Sequence, residues 1–299
     1  MTETPDCCLE SIVKQSFEGF PQNSKYILEI PVFNIENGFP FLEYFLEDSS
    51  GRREEGARAG GCLRDIAAVP DAGAAIEKLI AKAQKFSPDI LGLRFNIQDK
   101  KEISSAVKVL KEQLLEIKLP LMIRGSGNDE IDGELLPELA KNLDRPAIIA
   151  SANENTYKKI LPFTKDRHYV VLKSPIDINL AKELNILSSE LGQGLDKIII
   201  DTDIGGLGCG FEYGYSIIEK IKQEASNDKY LNMPLISFAC EETLKTKEAK
   251  SEDFSKSYGN LKERRILLEI TSAAAIRAAG ANLIVINLPQ TLKTLKGLK

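Results

Sequence analysis

The chain contains no tryptophan and a single histidine, His168, among its 299 residues. One imidazole nearly excludes a multi-histidine metal centre, and it leaves no separate histidine base once His168 sits on a strand. Cys7, Cys8, Cys62, Cys209 and Cys240 are odd in number and never spaced CxxC. An iron–sulfur cluster needs about four thiolates at loop-compatible spacings, so these cysteines read as reduced and mostly structural. Long apolar runs are missing as well. The stretch from Leu283 to Leu288 is interrupted by Asn287 and is far too short to cross a bilayer. The opening residues MTETPDCCLE are acidic and lack a charged-then-apolar leader, so the expected location is cytoplasmic, with no membrane partner. Basic excess is absent too. A net charge of −5, a pI near 5.3 and no basic stripe with interleaved aromatics argue against a nucleic-acid partner.

What is present is ordinary in amount and regular in order. Hydrophobic content of 43% and charged content of 28% suit a soluble globular protein long enough for one large α/β core or two small ones. From about residue 70, apolar strands expected at 90–93, 121–123, 147–150, 169–172, 198–200, 235–238 and 283–286 alternate with helical segments. Helices are expected from a cap at Asp71 to Phe86, then near 103–117, 134–142, 157–161, 216–225 and 262–279. Ser174-Pro175-Ile176-Asp177 reads as a further helix start, with Ser174 as cap, and Ile176, Leu180, Leu184, Leu187 and Leu191 follow at helical spacing.

Seven strands separated by helices imply a parallel sheet with right-handed crossovers. An eighth would close a (β/α)8 TIM barrel. That strand is expected in the first 70 residues, where 26–33 and 39–46 read as an N-terminal β-hairpin around Asn37-Gly38. The expected organisation is an extension with the hairpin over residues 1–60 and the barrel over 61–299, one structural domain overall. An open doubly wound sheet is the alternative, although no G-x-G-x-x-G opens a first βα unit. Residues 49–61 read as a mobile loop and 241–260 as a long charged insertion.

In a parallel barrel the loops after the strands share one face, and sites gather there. Asn153 and Asp201 each lie within three residues of a strand end, where an amide and a carboxylate can read the edges of a heterocycle such as a pterin. The alternative is that Asn153 caps the following helix and Asp201 bonds loop amides. Arg124, Ser126 and Asn128 could bind an anion or form a structural ion pair. The loop DTDIGGLGCGFEYG, from Asp201 to Gly214, holds Gly205, Gly206, Gly208 and Gly210. They could cradle an anion at a helix start or leave clearance for something large. With no lysine in the loop and no G-K-[ST] after it, a P-loop is disfavoured. Cys209 reads as a small apolar filler, and Glu241-Glu242 as a solvated pair.

Three segments, SPIDINLAKELNIL, DKIIIDTDIGGLGCGFEYGYSIIEKI and ERRILLEITSAAAIRAAGANLIVINLP, resemble the small subunit of the corrinoid iron–sulfur protein. The same family includes the delta subunit of acetyl-CoA decarbonylase/synthase. LPLMIRGSGNDEIDGELLPELA and ASANENTYKKI add to the likeness, which runs from about residue 90 to 292. The resemblance implies a TIM barrel related to pterin-dependent methyltransferases. Asn128, Asn153, Asp201, Gly205, Gly206, Gly208 and Gly210 are the candidates to face such a pterin or a corrinoid. The resemblance further implies a heterodimer with a large subunit carrying the corrinoid (cobalamin) and a [4Fe–4S] cluster. Acetyl-CoA synthase, CO dehydrogenase and a methyltransferase would be transient partners. The implied role is methyl transfer from a methyltetrahydropterin such as methyltetrahydrofolate, via cobalt, to acetyl-CoA synthase in the Wood–Ljungdahl pathway. No Asp-x-His-x-x-Gly cobalamin signature occurs, so a partner would supply that group. Asp201-Thr202 stands where the family typically has Asp-Pro, and Leu288-Pro289 where His-Pro is common. A stand-alone methyltetrahydrofolate-binding methyltransferase and a diverged interaction protein are the alternatives.

Overall fold

The computed structural model describes residues 5–18, 23–33, 44–45 and 72–298. Helix α1 (Pro5–Glu18) comes first, and β1 (Lys25–Phe33) follows it. The repeating part then runs α2 (Ala72–Lys85), β2 (Ile90–Phe95), α3 (Ile103–Leu114), β3 (Leu121–Arg124), α4 (Asp129–Lys141) and β4 (Ile148–Ala152). It continues through α5 (Tyr157–Ile160), β5 (Tyr169–Lys173), α6 (Ile178–Glu190), β6 (Ile198–Asp201), α7 (Phe211–Glu224) and β7 (Leu235–Ser237). After β7 come α8 (Ala239–Leu244), α9 (Lys247–Lys250), α10 (Leu261–Ala279), β8 (Leu283–Ile286) and α11 (Pro289–Gly297).

Each strand pairs in parallel with the next, and β8 returns to β1 through Lys25↔Leu283 to Leu28↔Ile286, so the sheet closes into the expected barrel. The strands are short, mostly apolar runs buried on both faces, as a parallel sheet wrapped by helices requires. Alternate residues face inward. Ile27, Ile90, Met122, Ile199, Ile236 and Val285 belong to the inner cluster, while Leu28, Leu91, Ile123 and Ile200 pack outward with the helices. Leu9 and Val13 of α1 join the inner cluster, and Asn282 Nδ2 donates to Ser16 O at 2.8 Å. The N-terminal helix therefore stoppers the barrel at the end where the strands begin.

The eighth strand is β1, inside the segment 1–60 that the sequence sets apart. Of the second hairpin arm only Tyr44 and Phe45 fall among the described residues; they sit buried in a helical turn. Residues 49–61 and Asp71 lie outside the described residues. Several helices start at other places than their sequence signals suggest. Asp177, not Ser174, caps α6, its carboxylate accepting from Asn179 N at 2.6 Å and Leu180 N at 3.2 Å. Helix α4 begins five residues early under an Asn128 cap, and α7 begins at Phe211. The charged stretch 241–260 contains the end of α8, all of α9 and a single helical turn at Lys256–Tyr258. Arg264 ties it to α10 by donating Nε to Glu248 O at 2.6 Å.

Candidate functional site

Continuing the inward alternation past the apolar layers brings charge to the C-terminal end of the barrel. Glu29, Arg94, Arg124, Lys173, Asp201 and Phe238 follow Ile27, Gly92, Met122, Val171, Ile199 and Ile236 at the two-residue period. Arg94 and Arg124 are register partners on adjacent strands, so both cations need carboxylates nearby. Glu241, on α8, supplies one: it accepts from Arg94 Nη1 at 2.8 Å and from Arg124 Nη1 at 2.5 Å. Glu29, fully buried, takes a further bond from Arg124 Nη1 at 3.1 Å. Lys245 Nζ lies 3.0 Å from Glu241, and the Arg124 guanidinium rests 4.1 Å above the Phe238 ring. Gly92 leaves room for Glu29, since a Cβ there would meet Glu29 Cα at 3.1 Å.

Burial alone would weaken the charges of Arg124 and Glu241. Glu29 and Glu241 outweigh it and hold Arg124 above the usual arginine range; Arg124 and Arg94 hold Glu241 well below the usual carboxylate range. This network occupies the β1–β3 side of the mouth. The sequence reading of Glu241-Glu242 as a solvated pair is therefore wrong for Glu241, which is 7% exposed.

The β4–β6 side stays open. A pocket of about 80 Å³ there includes Arg124, Ser151, Asn153, Lys173, Asp201 and Asp203 in its wall. A larger cleft of about 320 Å³ extends over α6, and Asn153, Lys173 and Asp203 border both spaces. Asp201 is 3% exposed, and its Oδ1 accepts from Asp203 N at 3.0 Å. Burial pushes its carboxyl up to about 7, against the lowering effects of that bond, Lys173 and Arg124. Such a group changes charge near neutrality, a property that marks candidate functional carboxylates.

Asn153 reaches the same pocket, but its polar atoms are engaged by its own loops. Nδ2 donates to Asp129 Oδ1 at 2.7 Å, and Oδ1 accepts from Asn155 N at 3.0 Å and Thr156 N at 3.2 Å. Asn128 caps α4, accepting from Glu130 N at 3.0 Å. Asp132 holds the loop from β3 to α4 by accepting from Ser126 N and Gly127 N at 2.9 and 2.7 Å. The glycine loop packs against its own chain. A Cβ on Gly205 would stand 2.1 Å from Cys209 O, and one on Gly206 would stand 2.6 Å from the Glu242 carbonyl. Gly210 opens α7 at φ 90°, and Gly208, at φ 73°, has open space where a side chain would be.

His168 lies at the other end of the barrel, just before β5, with Nδ1 accepting from Ala147 N at 3.2 Å. Burial and then Arg167 lower it to about 4, so it is neutral and remote from the mouth. No group of three or more His, Cys, Asp or Glu side chains among the described residues could hold a metal ion. Sequence reasoning missed Glu29, Arg94 and Glu241. A charge inside the buried strand KYILEIPVF was the available signal for Glu29.

Comparison with known proteins bears on this barrel in two ways. Among solved structures, Xanthomonas albilineans dihydropteroate synthase in complex with indole-2-carboxylic acid and 6-chloroguanine matches with TM-score 0.59 at 11% identity, over 92% of this chain and 91% of that one. The same enzyme in complex with 7,8-dihydropteroate matches with TM-score 0.56 at 12% identity, over 92% of each chain. These likenesses establish the fold. In sequence, the acetyl-CoA decarbonylase/synthase complex subunit delta of Methanocaldococcus jannaschii is 30% identical over 204 residues, 67% of this chain and 49% of that protein. Its counterpart from Archaeoglobus fulgidus is 29% identical over 227 residues, 71% of this chain and 50% of that protein. The chain thus spans about half the length of these curated relatives. The family model for the CO dehydrogenase/acetyl-CoA synthase delta subunit matches residues 73–274, and with that span of barrel the chain belongs to this family.

Proposed function

We propose that the chain is the barrel subunit of a corrinoid iron–sulfur protein that takes part in methyl transfer from a methyltetrahydropterin, via cobalt, to acetyl-CoA synthase in the Wood–Ljungdahl pathway. Family membership supports a place in a multi-subunit complex, because the curated relatives are named as subunits of one. The corrinoid and a [4Fe–4S] cluster belong, in this reading, to a large partner subunit. When bound there, the corrinoid supplies the metal that carries the methyl group. CO dehydrogenase, acetyl-CoA synthase and a methyltransferase would be transient partners.

Asp201 is the observation that supports a pterin-facing role for this chain. As a carboxylate it can accept from ring N–H and exocyclic amine donors. As the neutral acid it can donate to a ring nitrogen. Its value near 7 makes both forms accessible. Arg124, fixed by Glu29 and Glu241, stands beside it as a permanent cation in the pocket wall. The chain's contribution would then be holding and orienting a polar ring rather than breaking a bond. Titration calorimetry of the chain with methyltetrahydrofolate tests this. Binding that falls at least about tenfold in Asp201→Ala supports it, since a lost charge-assisted bond is worth that much. Co-purification with a corrinoid-carrying large subunit tests the assembly. Absence of both pterin binding and such a partner would sink the reading.

An interaction role within the same complex, without pterin binding, is the second reading. It draws on the ion-pair network that fills half of the mouth and on Asn153 being spent in its own loop. Loss of partner binding in a mouth-surface variant that never bound pterin would favour it.

A further inference from the structure

Two spaces open on the β4–β6 side of the mouth, and neither is a complete site. The inner pocket, about 80 Å³, has converging polar groups in its wall, Arg124, Asn153 and Asp201 among them. It falls well short of the roughly 300 Å³ at which small-molecule sites begin. The cleft over α6, about 320 Å³, has the room and a different lining, with Tyr157, Leu180, Leu184 and Leu187 in its wall. A small-molecule site is mostly apolar with a few placed polar groups, and only the two spaces together meet that description.

Their junction is built from shared residues. Asn153, Lys173 and Asp203 stand in the wall of both spaces. Asn153 is the rigid side of the junction. Its Nδ2 donates to Asp129 at 2.7 Å, and its Oδ1 accepts from Asn155 N, Thr156 N and Thr156 Oγ1. The other side yields more easily. Lys173 reaches from the end of β5 to Asp203, which follows β6, and its Nζ lies 2.8 Å from that carboxylate. The two side chains are 40% and 49% exposed, and an ion pair so open to water is weak, so a ligand can part it at little cost. The Asp203 backbone stays anchored meanwhile, because its N–H donates to Asp201 at 3.0 Å.

We infer that pocket and cleft are one composite site and that its ligand is elongated: a polar ring seated at Asp201, and an uncharged aryl or apolar arm laid along α6. The inference rests on the pterin-facing reading of Asp201 and adds the second half of the ligand. A two-ring heterocycle outgrows the inner pocket, so its far end crosses the junction where Lys173 and Asp203 meet, and the arm begins there. The arm covers Leu180, 40% exposed, and packs on Leu184 and Leu187. Glu154 and Glu183 are exposed in the same wall, so an anionic tail beyond the arm turns to water rather than into the cleft.

Calorimetric titration of the full chain with methyltetrahydrofolate and with 5,6-dimethyltetrahydropterin tests it. The two ligands share the reduced pterin ring and its N-methyl group and differ in the aryl arm. The arm is expected to tighten binding at least about tenfold, as burial of part of an aromatic ring does. Leu180→Asp alters an exposed side chain in the first turn of α6, where an acid suits the helix, so the fold is retained. It is expected to weaken methyltetrahydrofolate about fivefold and to leave the armless ligand within about twofold. Equal affinities of the parent chain for the two ligands overturn the inference and leave the pterin reading standing. So does a Leu180→Asp effect that is the same for both ligands. Binding of neither ligand removes the pterin reading, and the composite site with it.

Discussion

A carboxyl group removed from water resists ionisation, and Asp201 shows the effect most clearly in this chain. Its folded value near 7 stands above the unfolded value of about 3.9. Between those values the folded state keeps a proton that the unfolded state has released, so stability falls as pH rises through the window and levels off above it. Glu269, buried in α10 and also raised to about 7, adds a slope of the same sign. His168 opposes them: its folded value near 4 lies below the ordinary value, so its contribution is full above about pH 6.5 and is lost towards pH 4. Comparison with Asp201→Asn isolates one term. The amide can still accept from Asp203 N but cannot ionise, so the variant should gain stability relative to the parent chain from about pH 4 to about pH 7 and no further above that. Thermal unfolding across that range measures it, and a constant difference would show that Asp201 titrates normally. At this scale the sequence was partly legible. The position of Asp201 at a strand end followed from the apolar run before it. The state of its proton did not, because it depends on burial by residues remote in the chain.

Elements were more legible than residues, since seven strands announced themselves as apolar runs between helical periods. Their junctions were not. Asp177 and Asn128 make the caps because the backbone N–H groups reach those side chains, and neighbouring Ser174 looked equally suitable in sequence. Glu241 was misread for the related reason that its partners, Arg94 and Arg124, lie more than a hundred residues away. Glu241→Ala should cost about 3 kcal/mol, because it takes from two half-buried guanidiniums one of the two carboxylates between them and leaves only Glu29. Urea unfolding measures that loss; a change below about 1 kcal/mol would mean that the network behaves like a surface pair. The glycine loop after β6 invites a paired test. Gly208→Ala meets only the cost of its positive φ, about 1 kcal/mol. Gly206→Ala drives a methyl group into the Glu242 backbone, so it should destabilise by more and loosen α8, where Glu241 sits. Equal losses would show that the loop moves aside freely and that the glycines are not needed for contact with α8.

At the scale of the molecule, the sequence set residues 1–60 apart, while the structure draws part of that segment into the core. Strand β1 completes the ring, and α1 turns its apolar face into the barrel interior. The face was present in the sequence, since Leu9, Ile12 and Val13 recur at helical spacing, but nothing local says that a helix will stopper a barrel. The consequence is that the inner cluster is sealed by unlike means at its two ends: by Leu9 and Val13 at one, and by the Glu29–Arg124–Glu241 network at the other. We propose that helix and barrel unfold as one unit. Leu9, with no exposed surface, should then cost about 2–5 kcal/mol when replaced by alanine, as core leucines do. The loss should appear as a shifted urea midpoint with an unchanged slope. If the helix were instead a separable appendage, Leu9→Ala would leave the main transition in place. Removing residues 1–18 would leave it in place too. That result would return the barrel's stability to the strands and outer helices alone.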